Sequence, residues 1–304
     1  MTAVDSATEP IAISAPRRDA KSARSFGVLT LTCPERPGIV QAVTSFLLDH
    51  GLNIVEHHQF DDSDRDVLFL RTAFAAEHEL DLAQLTSAFA PTADEFGMNF
   101  SFHDETKPRL LVMVSKLGHC LNDLIFRWRA GTLGGDIALV VSNHPDLRAM
   151  AEAANLPFLH LPVTPDTKPQ AEARLLELVD EHDVDLVVLA RYMQVLSDDL
   201  TRDLSGRIIN IHHSFLPSFK GAKPYHQAFA RGVKRIGATA HYVTADLDEG
   251  PIIEQDVVRV DHRMTPEDLV RAGEEVESRV LARAVRWHVE HRVILRGRRT
   301  IVFD

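Results

Sequence analysis

The chain has 304 residues, of which 45% are hydrophobic and 25% are charged. A chain of this length predicts about two domains, and the composition is that of an ordinary globular protein. The formal net charge of −11 at pH 7 argues against general nucleic-acid binding. Because no apolar run approaches the ~18 residues that a membrane span needs, we expect neither a nucleic-acid nor a membrane partner.

The two cysteines, Cys33 and Cys120, are too few for a disulfide framework, and neither has another Cys or a His at metal-ligand spacing. Two reduced thiols are typical of a cytoplasmic protein, and we expect that location. Residues 1–24 contain acidic residues and no apolar core of the kind found in signal peptides. We expect them to form a disordered tail.

Residues 25–104 predict a small α/β domain. Strand patterns cover residues 26–32, 53–60, 66–74 and 98–102, and helical patterns cover residues 37–51 and 80–89. The resulting order β-α-β-β-α-β is the split βαβ arrangement of ferredoxin-like domains. A polar stretch that ends at Pro108 follows, and we place the boundary between the two domains there.

Residues 105–304 predict a larger, doubly wound domain. Strands that are apolar almost throughout, such as residues 109–114 and 185–190, alternate with helical patterns, and such strands are typical of a mostly parallel sheet. The binding crevice of such a sheet lies at the carboxyl ends of its strands. We therefore expect Ser115, Arg191 and His212 to lie near one another at that edge.

Three polar side chains make the strongest candidate site. Asn210 and His212 stand two apart at the end of the apolar run 207–211, so both point to the same face of a strand. Asp248 lies in an acidic turn between two further strand patterns. A carboxylate can orient a nucleophile and take its proton, while an amide and a protonated imidazole can donate to a developing oxyanion. The set therefore suits attack on a carbonyl.

The same stretch resembles the folate-dependent formyltransferase family. It reads N-I-H-H-S-F-L-P-S-F-K-G from Asn210 to Gly221, then H-Y-V from His241, and D-E-G-P-I-I from Asp248. The resemblance implies a folate substrate, 10-formyltetrahydrofolate, and no metal or prosthetic group. The residues between His213 and Pro251 are most similar to the branch that hydrolyses this substrate to formate and tetrahydrofolate, which balances the one-carbon folate pools of purine biosynthesis.

The resemblance also implies roles for individual residues. Asp248, His212 and Asn210 would be catalytic, and His241 would support Asp248 from behind or be an ordinary core histidine. The pteridine would bind where the segment after the strand at 185–190 meets the acidic turn. The implied binding residues are Arg191, Met193, Val195, Gly221, Asp246 and Gly250.

The loop after the strand at 109–114 bears on the choice of acceptor. In related glycinamide ribonucleotide transformylases this loop resembles S-G-x-G-S-N and holds a phosphate. Here it reads S-K-L-G-H-C-L-N from Ser115 to Asn122, and the loss of glycine limits backbone approach to an anion. Lys116 and His119 are left as solvated side chains or weak anion contacts. This favours water as acceptor, with glycinamide ribonucleotide formyltransferase as an alternative function.

The N-terminal region resembles the ACT domain through residues 35–40 and 51–54. ACT domains often bind amino acids at their interfaces, which implies an effector site near Gly38 and Asn53 and assembly into a homo-oligomer, a dimer or tetramer. A packing module without a ligand is equally compatible with the pattern. A second alternative for the whole chain is therefore a non-catalytic amino-acid sensor.

Overall fold

The computed structural model describes residues 24–217 and 224–304. The expected tail at residues 1–24 lies outside the described residues except for Arg24. The N-terminal region contains a βαββαβ unit. Its elements are β1 (Ser25–Pro34), α1 (Ile39–Asp49), β2 (Asn53–Asp62), β3 (Val67–Ala76), α2 (Leu82–Phe96) and β4 (Asn99–His103).

These strands form a four-stranded sheet in the order β2-β3-β1-β4, and every neighbouring pair is antiparallel. Burial alternates along β1, as expected for a strand with one face on a core. That core includes Leu29, Phe74 and Phe89 and packs beneath the two helices. The predicted ferredoxin-like order is therefore confirmed.

Helix α2 is longer than the sequence pattern predicts. Asp81 caps its start by accepting a hydrogen bond from the Gln84 backbone at 2.9 Å. The helix contains Pro91 and continues to Phe96. It ends at Gly97, whose φ of 64° is the left-handed conformation that commonly closes helices. The proline therefore does not end the helix.

The second region contains a larger sheet and its helices. The elements that begin it are β5 (Arg109–Val114), α3 (His119–Arg129), β6 (Asp136–Ser142), α4 (Arg148–Ala153), β7 (Phe158–His160), α5 (Lys168–Glu181), β8 (Leu186–Leu189) and α6 (Asp198–Asp203). Those that complete it are β9 (Ile208–His212), α7 (Pro224–Arg231), β10 (Arg235–Tyr242), β11 (Ile252–Arg259), α8 (Pro266–Val289), β12 (Val293–Arg296) and β13 (Arg299–Val302).

The seven-stranded sheet has the order β11-β10-β9-β8-β5-β6-β7. Neighbours from β7 to β9 are parallel, whereas β10 and β11 are antiparallel to their neighbours. Separate apolar cores cover the two faces, so the predicted doubly wound, mostly parallel sheet is confirmed. The chain runs outward from β5 to β7 and then returns to β8 on the other side of β5. The topological switch point, where such sheets bind ligands, therefore lies between β5 and β8.

Helix α8 is the longest element of this region. Thr265 and Asp268 form a reciprocal capping box at its start, as the Ser/Thr-x-x-acid pattern predicts. Its buried residues pack on the core shared with α3 and β10. Charged residues recur along the helix, and within residues 24–217 and 224–304 no helix is both long enough and apolar enough to cross a membrane.

The four-stranded sheet contacts the far end of α8. The Arg71 guanidinium donates to the backbone oxygens of Glu290 at 3.0 Å and His291 at 3.1 Å, and also to Glu56 at 2.5 Å. The imidazoles of His103 and His291 stack with ring centroids 3.5 Å apart. We refer to these five residues as the seam. It joins the four-stranded sheet to the end of α8 because Arg71 donates to carbonyls at that helix end.

Candidate active site

A cavity of about 240 Å³ opens at the carboxyl ends of β8 and β9. Ile209 and Ile211 on β9 point into the core, so the alternating positions Asn210 and His212 both reach the cavity. The segment after β8 forms one wall, and the turn after β10 forms another. The lining residues are Leu189, Arg191–Leu196, Thr201, Asn210–His213, His241, Val243–Ala245, Leu247 and Asp248.

Asp248 lies close to two imidazoles of the site. His212 Nδ1 is 3.2 Å from Asp248 Oδ1, and His241 Nε2 is 3.7 Å from the same oxygen. Asp248 has a φ of 56°, a left-handed conformation that aspartate adopts more readily than most residues. The turn thereby carries a mostly buried carboxylate to the two imidazoles.

The hydrogen bonds of His241 orient Asn210. His241 Nδ1 lies 2.8 Å from the carbonyl oxygen of Tyr242, which can only accept, so Nδ1 carries a proton. In the neutral ring Nε2 is then an acceptor, and the Asn210 side-chain nitrogen lies 3.3 Å from it. Asn210 therefore donates one N–H to His241 and keeps the other for a ligand. His241 thus holds the Asn210 amide and lies beside the Asp248 carboxylate.

The charges of the site follow from these contacts. Burial by itself raises the pKa of Asp248, but the hydrogen bond from His212 and the proximity of His241 outweigh it and hold the pKa well below the usual range. Asp248 is therefore a carboxylate at neutral pH. Burial, together with the charges of Arg191 and His212, lowers the pKa of neighbouring His213 to about 4. His213 is neutral under the same conditions.

The Nε2 atom of His212 is available to hydrogen-bond a ligand. Because Asp248 accepts from Nδ1, the Nε2 atom is an acceptor in the neutral ring and a donor in the cation. This Nε2 is buried and has no hydrogen-bond partner among the residues that the structure describes. A buried polar group of this kind is costly unless something pairs with it. In the neutral ring, Nε2 can take a proton from water. In the cationic ring, it can donate a hydrogen bond to an oxyanion.

The other residues singled out from the sequence lie in different places. Arg191, Met193 and Val195 line the cavity, and the Met193 backbone nitrogen donates to Ser115 Oγ at 3.0 Å. Asp246 is exposed and is not among the lining residues. Gly221 falls in residues 218–223, outside the described part of the chain.

Gly250 is buried and supports the turn from behind the cavity. A Cβ atom at this position would lie 1.8 Å from the carbonyl oxygen of Tyr242, far inside contact distance. The same carbonyl accepts the bond from His241 Nδ1. Glycine at position 250 therefore lets the acidic turn pack closely on the end of β10.

Sequence reasoning missed several residues around the cavity. Apolar side chains complete its walls, and Glu277 lies behind it on α8. The missed lining residues are Leu189, Thr201, Val243 and Thr244. A signal for Glu277 was available, because this acid interrupts a buried stripe at helical spacing that includes Gly273, Val276, Val280 and Leu281.

The expected solvated loop at Lys116 and His119 is wrong for His119. Its Nε2 lies 2.7 Å from Glu277 Oε2, and in the described parts of the chain His119, Cys120 and Glu277 offer ligand atoms within 4.8 Å of one another. Burial raises the pKa of the Cys120 thiol well above its usual value, and Arg191 Nε lies 3.2 Å from the same Glu277 oxygen. A protonated thiol and an adjacent cation make a poor metal site.

The candidate effector positions are exposed. Gly38 precedes α1 with a φ of 99°, where a side chain is strained. Asn53 begins β2. Both are accessible, which an effector site on the N-terminal sheet requires.

Known proteins resemble this chain over most of its length. Residues 108–285 match the family model described as formyl transferase. A formyltetrahydrofolate deformylase from Corynebacterium sp. (strain P-1) is 56% identical over 277 residues, which is 90% of this chain and 97% of that protein. The Escherichia coli K12 protein of the same name is 41% identical over the same shares.

The solved structures separate two kinds of relative. A formyltetrahydrofolate deformylase from Pseudomonas syringae pv. tomato has a TM-score of 0.89 at 50% identity and covers 92% of this chain and 95% of its own. A glycinamide ribonucleotide transformylase from Symbiobacterium toebii has a TM-score of 0.60 at 36% identity and covers 65% of this chain and 95% of its own. This chain therefore has the formyl transferase fold, and its coverage and identity show that it belongs to the formyltetrahydrofolate deformylase family.

Proposed function

We propose that this chain hydrolyses 10-formyltetrahydrofolate to formate and tetrahydrofolate, with Asp248, His212 and Asn210 as the catalytic residues. The main support for the proposal is that all three residues line one cavity. His212 Nδ1 lies 3.2 Å from Asp248, and the Asn210 amide is hydrogen-bonded to His241. An ionised carboxylate, an unpartnered imidazole nitrogen and an oriented amide suit water attack on a formyl carbon.

In the mechanism that we propose, Asp248 orients the attacking water, and His212 takes a proton from it through Nε2. The water oxygen bonds to the formyl carbon, and the former carbonyl oxygen becomes an oxyanion. The Asn210 N–H and the now protonated His212 donate to that oxyanion. The C–N10 bond then breaks as N10 takes the proton, so that formate and tetrahydrofolate leave. No step requires a metal or a prosthetic group.

The folate would bind along the wall of the cavity that contains both polar and apolar residues. Arg191, Met193 and Val195 belong to the segment after β8, and Ser115 holds its backbone at Met193. We propose that this segment and the turn that includes Asp246 and Gly250 hold the pteridine mainly through backbone groups. Gly221 is proposed to allow the following loop to close over the formyl group.

Formate release is the decisive experiment. The full chain is incubated with 10-formyltetrahydrofolate and no added acceptor, and formate is measured by an enzyme-coupled assay. We expect stoichiometric formate and tetrahydrofolate, and release that is slower by ~10²–10⁴-fold from Asp248→Ala. A wild-type protein that releases formate only after an amine is added would make the chain a formyltransferase. A protein inert with and without amine would favour the sensor alternative.

We also propose that residues 25–104 form an ACT-like module that assembles or regulates a cytoplasmic enzyme. None of the catalytic candidates lies there, whereas Gly38 and Asn53 are exposed. Closed two-fold pairing is the commonest form of self-association, so a dimer or tetramer is expected. Sedimentation gives the size, and an amino-acid panel gives any response. A monomeric full chain whose rate ignores every amino acid contradicts this assignment.

A further inference from the structure

The crevice at the topological switch point is filled by the protein itself. The loop after β5 ends at His119, and Arg191 follows β8 on the other side of the switch point. Open α/β sheets ordinarily hold a ligand between these two loops. Here Glu277, on α8, contacts both of them: its Oε2 lies 2.7 Å from His119 Nε2 and 3.2 Å from Arg191 Nε.

Glu277 is almost completely buried, with 1% of its surface exposed. Burial raises the pKa of this carboxyl, but His119, Arg191 and Tyr225 outweigh it and lower the pKa below the usual value. Tyr225 donates from its hydroxyl to Oε1 at 2.5 Å. Arg191 Nε and Nη1 are not aligned for a hydrogen bond among the described residues, so its contact with Glu277 is an ion pair. A buried carboxylate with three partners forms a rigid cluster that fills the switch-point crevice.

Gly273 brings Tyr225 into this filling. A Cβ at Gly273 would lie 2.1 Å from Tyr225 Cζ and 2.4 Å from its hydroxyl oxygen. The ring therefore crosses the backbone of α8, one turn before Glu277. It contacts His213 edge-on at 6.5 Å between centroids, and His213 stacks on His212 at 5.2 Å. The filled crevice thus reaches as far as the catalytic imidazole.

We infer that His119, Tyr225 and Glu277 are specificity-determining residues that exclude amine acceptors by occupying the switch-point crevice. The inference rests on the proposed hydrolysis of 10-formyltetrahydrofolate. A primary amine that reached the formyl carbon would bond to it through nitrogen, the C–N10 bond would break, and a proton would pass from that nitrogen to N10. The products would be a formamide and tetrahydrofolate. Water is small enough to reach the cavity with the crevice closed.

His119→Ala is the variant that tests this inference. It removes one imidazole from the crevice and leaves Arg191 and Tyr225 on Glu277. The variant is given 10-formyltetrahydrofolate with glycinamide, and the ratio of N-formylglycinamide to formate is measured by mass spectrometry. For the wild type we expect formate alone. For the variant we expect the ratio to rise by ~10-fold or more, the usual range for one small change in a pocket.

His288→Ala is the matched control. His288 is also buried and bonded, with its Nδ1 2.7 Å from the Tyr242 hydroxyl, but it lies near the other end of α8. The control should leave the product ratio at its wild-type value, whatever happens to the total rate. A general loosening of the fold would change the product ratio of both variants by a similar factor. A His119→Ala protein that turns over with formate as its sole product would overturn the inference.

Binding supplies a readout that does not depend on turnover. Calorimetry with glycinamide ribonucleotide should detect binding to His119→Ala and none to the wild type or His288→Ala. Equal absence of binding in a folded His119→Ala protein contradicts the inference even if that variant is inactive. By contrast, a wild type that releases no formate refutes the proposed hydrolysis and leaves this binding comparison valid.

Discussion

Two pairs of histidines lie in contrasting surroundings. In the active site, His212 and His241 both face the carboxylate of Asp248. At the seam, His103 and His291 stack on each other, and the Arg71 cation lies nearby. Burial, followed by the charges of His103, His288 and Arg71, lowers the pKa of His291 to about 3. The pKa of His103 is also lowered, first of all by burial.

The difference shows what a buried imidazole needs in order to exchange protons. A carboxylate partner lets the ring gain a proton without leaving an uncompensated charge in the interior. The stacked His103 and His291 rings lie beside a guanidinium, and burial outweighs the favourable charge of Asp104, so both rings remain neutral. The first arrangement suits catalysis, and the second suits a contact between a sheet and a helix end that has to keep one structure at neutral pH.

The largest effect is expected when the carboxylate is removed from the site. Asp248→Ala leaves His212 and His241 buried without their acid, as the seam histidines are. We expect kcat to fall by ~10²–10⁴-fold, the usual worth of a positioned acid or base, while folate still binds. Steady-state kinetics and calorimetric titration measure the two quantities. A variant that keeps most of its kcat would show that Asp248 does not have the proposed role.

Asn210→Ala removes the amide that His241 orients. We expect kcat to fall by ~10²–10³-fold, by analogy with the loss of one oxyanion donor. The ratio of kcat to KM decides the interpretation. If KM rises strongly and kcat stays the same, Asn210 binds the ground state rather than the transition state.

At the seam, Arg71→Met should weaken the fold and spare the chemistry. The change leaves the Glu290 and His291 carbonyls without the Arg71 donor, whereas Glu56 keeps its hydrogen bonds from Arg292. We expect the free energy of unfolding to fall by ~1–3 kcal/mol, the cost of unsatisfied buried acceptors, with kcat within a few-fold of the wild type. Urea unfolding measures the loss of stability, and formate release measures kcat. A much larger loss of kcat than of stability would contradict the separation of the two regions.

The smallest expected effect concerns acid stability. Free histidine has a pKa of ~6.5, whereas that of His291 is about 3 in the folded chain, so the unfolded state binds more protons between these values. Stability is then complete above ~6.5 and decreases as pH falls toward 3. His291→Asn, which tolerates the φ of 53° at this position, should flatten the slope of unfolding free energy against pH. His226→Asn, at an exposed histidine, is the control.

Local sequence patterns predicted the strands well, and they also indicated that Asn210, His212 and Asp248 lie together, as they do around one cavity. Asn210 and His212 alternate with buried isoleucines, so periodicity alone places them on one face. The turn at Asp248 was marked by its acids and by Gly250-Pro251. The ferredoxin-like order likewise followed from short periodic segments, each of which depends on near neighbours in sequence.

What the sequence did not reveal depends on contacts between distant residues. Glu277 lies 158 positions from His119 and 52 from Tyr225, and no local pattern brings these three together. The short helices α6 and α7 were also missed, since their few residues carry little periodicity. His119 was expected to be solvated because its loop is polar, whereas its partner comes from a helix near the end of the chain.

Gly250 has a consequence for mutational tolerance. Every other amino acid has a Cβ, and that atom would meet the Tyr242 carbonyl at 1.8 Å. The turn would have to shift, and Asp248, two residues earlier, would move with it. In a saturation library selected for formate release, position 250 would therefore tolerate as little variation as the catalytic positions do. Selection data alone would not distinguish a residue that reacts from one whose missing side chain keeps a reacting residue in place.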